Sequence, residues 1–335
     1  MTVADVIVVN TLGGALRHYT VGLVASIGAS GARVSVDHVD EPSRTGGSGL
    51  GWVRRYVLAL WSARRSARRS GARVIVTWPV LGHLDRLIVR VVLGRAVESS
   101  LVMHDPRPLV PARGYGRVAR WIADRCRVEV VVHSGTAAVA LAEDCPDLVP
   151  VLLPHPVVPR AATAPKQASG GRPVVRVLGQ FKPDRDLELL AEIGAQLGDT
   201  HRLEITGRRW PAVDGWSVTD EFVSEERLDD LMATADAVLV PYKRFFQSGI
   251  AIRSLELGTP AIGPAGSSIA DLYPDDRYLP SGSGASWCAA ITTATSADPD
   301  ETRELAALAD RACREAWSDW VRGGITTTRR RAAVS

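Results

Sequence analysis

The segment 237–264 concentrates the residues that could do chemistry. An apolar run, Ala237 to Val240, meets Pro241 and a polar loop, and Ser248-Gly249 then opens a helical pattern running to about Leu257. The first amides of a helix lack intrahelical acceptors and carry the positive end of its dipole, so they attract anions. Gly249 allows close approach to the backbone at Ile250, which makes this turn a phosphate-sized site. Glu256 follows eight positions after Ser248 and projects from roughly the same helix face. Amides for phosphates and a carboxylate for ribose hydroxyls are what a nucleoside diphosphate needs.

Such a site must sit on a sheet. Gly258-Thr259-Pro260 stops the helix and feeds Ala261-Ile262-Gly263, so the whole segment reads as a βαβ unit. Val6-Ile7-Val8-Val9 has the continuous apolar character of a buried parallel strand, followed by Asn10-Thr11-Leu12-Gly13-Gly14, a helical pattern to about Ala29 and a strand at 33–36. Further strands are expected at 73–77, 100–103, 128–132, 150–153, 174–179 and 203–207. His104 and Asp105 lie just past the carboxyl end of one of them, the edge where open α/β sheets bind ligands. His18, His133 and His155 read more readily as structural or exposed side chains.

At Glu256 and the Leu257-Gly258-Thr259-Pro260 turn the sequence resembles the GT-B glycosyltransferases, most closely the retaining glycosyltransferase family 4. That family carries two glutamates with seven residues between them before such a turn, and Ser248 stands in the first one's place. The resemblance covers about 6–276. It implies an α/β chain with the GT-B fold, two Rossmann-like domains facing across a cleft. It assigns the ribose to Glu256, the donor phosphates or the acceptor to Gly13 and Gly14, and the donor sugar or acceptor deprotonation to His104 or Asp105. Family members also grip the diphosphate with an Arg and a Lys after the strand that matches 174–179. Here Gln180 takes the Arg place and Arg185 the Lys place, with Lys182 added between them. The expected donor set is thus Gly13, Gly14, Lys182, Arg185, Ser248, Gly249, Ile250 and Glu256, acting without a metal or other cofactor.

A chain of 335 residues can bury two cores, and 46% hydrophobic with 23% charged residues is an ordinary globular mixture. The expected division is a first domain over 1–157, a Pro-, Ala-, Ser- and Gly-rich linker over 158–172, a nucleotide-sugar domain over 173–310, and a helix crossing back to the first domain within 311–335. Trp317 and Trp320 belong to that amphipathic helix, and the tail with Arg329-Arg330-Arg331 reads as frayed. Cys126, Cys145, Cys288 and Cys313 lack metal-ligand spacing and read as reduced cytoplasmic thiols.

The formal net charge is only +3, yet 52–73 holds seven basic residues and no acid. Trp52, Val53, Tyr56, Val57, Leu60 and Trp61 fall at helical spacing within it. Two readings stay open: a peripheral contact with the inner face of the membrane, or a core helix with an arginine outer face. Nucleic-acid binding fits less well, since the second half of the chain is not basic. The function expected is transfer of a sugar from a nucleotide-sugar donor to a hydroxyl acceptor. A non-catalytic nucleotide-sugar-binding subunit and a GT-B nucleotide-sugar epimerase are the alternatives.

Overall fold

Runs of β-branched residues set the strands, and buried periodic faces set the helices between them. The computed structural model describes residues 5–108, 112–160 and 171–323, which divide into two units, 1–156 with 311–335 and 157–310. Positions 161–170 of the expected linker and the arginines of the tail lie outside the described residues.

Unit 1 alternates strands and helices: β1 (Asp5–Asn10), α1 (Arg17–Gly28), β2 (Arg33–His38), α2 (Pro42–Thr45), α3 (Gly49–Ser70), β3 (Arg73–Val76), α4 (Leu84–Leu93), β4 (Ser99–Val102), α5 (Arg117–Ala123), β5 (Glu129–Val132), α6 (Gly135–Asp144) and β6 (Val151–Leu152). Its sheet has the order β2-β1-β3-β4-β5-β6, parallel throughout. The direction of strand addition reverses between β1 and β3, so a topological switch point lies at their carboxyl ends. Val6, Val8, Ile75, Val102 and Val131 share one core with Tyr19, Leu23 and Ile27 of α1.

Unit 2 contains β7 (Val174–Leu178), α7 (Leu187–Leu197), β8 (Arg202–Thr206), β9 (Ser217–Thr219), α8 (Glu225–Ala233), β10 (Ala237–Leu239), α9 (Gly249–Glu256), β11 (Ala261–Ile262), α10 (Gly284–Ser296) and α11 (Pro299–Val321). The order β11-β10-β7-β8-β9 is again all parallel, with its switch point between β7 and β10. The start of α11 contributes Ala306 to the core of unit 2, while Cys313, Trp317 and Trp320 pack into that of unit 1.

Two details depart from the sequence reading. The edge strand β9 was not anticipated, because it is three residues of mostly exposed Ser, Val and Thr. In α3 the buried stripe is Tyr56, Leu60, Ala63 and Ala67, and Trp61 is 49% exposed. Positions i, i+4, i+7 and i+11 share one side of a helix, and Trp61 lies about 100° away from Leu60 around the axis. The small alanines complete the stripe, and a tryptophan is left on the surface.

Candidate functional site

Val174–Leu178 is fully buried, and the chain leaves this central strand through Gly179 at φ +91°, a conformation suited to glycine. The backbone of Gly207, at the end of β8, approaches so closely that an added Cβ would strike the Gly179 carbonyl. The loop that follows is pinned to the one after β10. Asp186 N–H donates to the Pro241 carbonyl (2.8 Å), Lys243 N–H to Asp184 (2.9 Å), and Arg185 pairs with Tyr242 in an isolated antiparallel bridge. These residues therefore span the switch point of unit 2.

Arg185 lies at the centre of this junction and is 5% exposed. Its Nη2 donates to the Leu178 carbonyl (2.8 Å), and its guanidinium lies 4.1 Å from the Tyr242 ring centroid and 5.1 Å from that of Trp210. Trp210 is held in place by its Nε1 donating to the Gly179 carbonyl (2.7 Å). Burial pulls the arginine's pKa below its ordinary value, with Tyr242 opposing that pull. Nε has no hydrogen-bond partner among the described residues.

The other buried arginines are different. Arg86 meets Asp124 at 3.0 Å, Arg176 meets Glu204 at 2.7 Å, and Arg253 meets both Glu225 and Asp229. Arg185 has no carboxylate partner among the described residues. An uncompensated buried cation is costly, so this one is suited to an incoming anion.

Ser248 caps α9, its Oγ accepting from Ala251 N–H at 3.2 Å. The amides of Gly249 and Ile250 are left without acceptors among the described residues. Gly249 is exposed, and a Cβ there would meet nothing within 4 Å, so space is open before the helix. Lys182 is half-buried in the loop beside Arg185, and Gln180 is exposed. A pocket of about 320 Å³ adjoins this loop, walled by Asp186, Leu189 and Tyr242 and by the turns 264–266 and 280–282.

Glu256 is the residue to which the resemblance assigns the ribose. It ends α9, about 12 Å along the axis from Ser248. The residue is 2% exposed, and Oε1 accepts from Val158 N–H at 2.7 Å. The backbone carbonyl of Glu256 also accepts from Arg160 N–H. Its carboxylate thus anchors the 158–160 backbone.

In unit 1 the Gly14 amide donates to Glu41 Oε2 at 3.3 Å, and a Cβ on Gly13 would collide with Asp40. Acids therefore crowd the turn expected to meet phosphate. Gly13 instead borders a pocket of about 590 Å³ with Arg17, His38, Asp40 and Arg44, floored by Val21, Val24 and Val36.

His104 is buried beyond β4. Its Nε2 lies 3.0 Å from the Thr77 carbonyl and must donate to it, so a neutral ring would carry its lone pair on Nδ1. Trp78 stacks on the ring, and Tyr19 meets it edge-on. Asp105, half-buried, follows it. Parallel register also brings His133 and His155 to this edge, and Tyr19 Oη lies 2.9 Å from His133 Nε2. Burial holds the pKa of His155 down to about 3 and that of His133 well below the usual range. Among the described residues no group of three or more His, Cys, Asp or Glu is placed to hold a metal ion.

No protein-family model matches the sequence, and no curated protein does. Solved structures do. The sucrose-phosphate synthase of Thermosynechococcus elongatus superposes with a TM-score of 0.62 at 14% identity, covering 99% of this chain and 100% of that one. The trehalose-6-phosphate synthase OtsA gives 0.62 at 10% identity, over 96% of this chain and 98% of that one. Anabaena HepE in complex with UDP-glucose gives 0.57 at 13% identity, over 97% and 98%. The chain has the GT-B fold. Both GT-B sheets present loops at their carboxyl edges, those of Arg185 and Tyr242 in unit 2 and those of Thr77 and His104 in unit 1.

Proposed function

We propose that the chain is a glycosyltransferase that moves a sugar from a nucleotide-sugar donor to a hydroxyl acceptor. The observation that carries this reading is Arg185, a buried guanidinium at the switch point of unit 2 without a carboxylate partner among the described residues. Departure of a nucleoside diphosphate builds charge on the terminal phosphate. Arg185, the Gly249 and Ile250 amides and Lys182 would stabilise it, in a site where fixed dipoles need no reorganisation. The pocket beside Tyr242 has room for part of the nucleoside, and the one beside Gly13 for an acceptor. His104 Nδ1 is the candidate to contact sugar or take the acceptor proton. Solved relatives in fold include HepE with UDP-glucose and a Burkholderia xenovorans trehalose-phosphate synthase with glucose-6-phosphate, in keeping with this chemistry. The resemblance to family 4 around Ser248 and the 257–260 turn supports retention of configuration without a metal.

Calorimetric titration with UDP, GDP, ADP and dTDP, and with their glucose conjugates, tests the site. Arg185→Ala should weaken the preferred diphosphate by about 1.5–3 kcal/mol, roughly tenfold to more than a hundredfold. Arg185→Lys should retain much of the transfer rate. Unchanged affinity in Arg185→Ala would move the phosphate site to Lys182. Tight donor binding with no product across an acceptor panel would favour the binding-subunit alternative.

A further inference from the structure

We infer that unit 1 holds a second anion site, for a small ligand carrying phosphate, at the amino-terminal edge of its sheet. Strands β3, β4 and β5 begin around a pocket of about 410 Å³, within the range of small-molecule sites. Arg73, Arg90, Arg95 and Arg127 line it together with Glu98 and Glu129. Arg73 is committed, since it meets Glu98 at 2.6 Å, donates to the Trp320 carbonyl and lies over the Trp320 ring. Glu129 is committed as well, with Oε1 accepting from Ser100 Oγ and Trp320 Nε1, both at 2.8 Å.

The remaining three arginines converge on the same cavity, and none has a hydrogen-bonding or ionic partner among the described residues. Arg90, in the last turn of α4, gains from the negative helix end, whereas Arg95 and Arg127 are exposed and have no such support. The wall is left with a formal charge of +2. Guanidinium groups bind phosphate through paired N–H donors, so a diphosphate or a sugar bisphosphate would satisfy three forks better than a carboxylate would. A phospholipid headgroup presents the same chemistry.

The test uses the whole protein and two probes. Inorganic pyrophosphate is titrated calorimetrically at constant ionic strength into wild type, Arg95→Gln/Arg127→Gln and Arg185→Ala. The same proteins are sedimented with phosphatidylcholine vesicles with and without phosphatidic acid. Because Arg95 and Arg127 bond no other side chain or backbone group among the described residues, their replacement should leave the melting temperature unchanged. A saturable pyrophosphate site that survives Arg185→Ala and weakens at least tenfold in the double variant supports a soluble ligand. Phosphatidic-acid-dependent sedimentation that the double variant loses, without pyrophosphate binding, supports a headgroup. If the double variant behaves as wild type with both probes, or wild type binds neither, the inference is overturned.

Discussion

Buried charges in this protein are best judged by what neutralises them. Arg253 and Glu256 sit three residues apart on α9, yet both are already committed, the first to Glu225 and Asp229, the second to Val158 N–H. A carboxylate that holds a half-buried backbone amide has a structural role. Glu256→Ala should therefore lower stability by about 1–3 kcal/mol, the cost of leaving that donor without its partner. Glu256→Gln, which keeps an acceptor oxygen, should lose less, and thermal melts of both variants measure this. Nucleoside diphosphate affinity should change little in Glu256→Gln if the backbone contact is its main role; a large loss of donor affinity with an intact melt would support the ribose role expected from sequence. The backbone contact was hidden because spacing fixes only the helix face. The Val158 partner lies 98 residues away, and no local pattern announces it.

At the scale of elements, three histidines in separate turns become one cluster because β4, β5 and β6 run parallel in adjacent register. The strands themselves were legible as apolar runs, and His104 was legible as a strand-end residue. The company of Tyr19, His133 and His155 was not, since it depends on sheet order. The same applies to Trp210 and Tyr242 around Arg185. This cluster and the α4 entry give unit 1 a pH dependence with a definite sign. His83 is held near 4 by burial, helped by Arg120 and Arg86, and His155 near 3 by burial and His104, with His133 lowered too. Below the ordinary histidine value near 6.5 the unfolded chain binds protons that the folded chain does not, so stability is lost on acidification from there toward 4. Asp85 acts oppositely. Burial raises its pKa to about 7, so between its unfolded value and 7 the folded chain holds the extra proton, and stability falls as pH rises. With three histidines against one carboxyl, the net loss should approach about 2–3 kcal/mol per pH unit between pH 6 and 5, at about 1.4 kcal/mol for each proton. Asp85→Asn should steepen that slope by about one proton in urea titrations at several pH values. A shallower slope in the variant would contradict the assignment.

Over the whole molecule the small net charge conceals two opposite halves. Unit 1 has 25 arginines, no lysine and 14 acids, a formal +11, whereas unit 2 has 15 basic and 23 acidic residues, a formal −8. The excess in unit 1 is concentrated on helices that also expose apolar residues. On α3, Leu50, Leu58 and Trp61 are exposed, and Arg65 stacks on Trp61 at 4.1 Å. Helix α4 packs against both α3 and α5 and exposes Val91, and α5 exposes Val118 and Trp121, with Arg125 stacked on Trp121 at 3.6 Å. No helix among the described residues is long and apolar enough to cross a membrane. A surface of arginines and tryptophans suits the interface of an anionic bilayer, where each surface-near arginine contributes about 1 kcal/mol. Wild-type protein should sediment with phosphatidylglycerol-containing vesicles at low salt, and release as screening shortens the Debye length. Replacing Arg65, Arg68 and Arg69 with Gln should weaken that partition by about 3 kcal/mol, or roughly a hundredfold. The fold should be unaffected, because these arginines are exposed on α3 and make no ion pair among the described residues. Trp61→Ala should weaken binding at all salt concentrations, since it removes apolar contact without changing charge. Wild type that ignores such vesicles at low salt would return α3 to the other reading, a core helix with an arginine outer face.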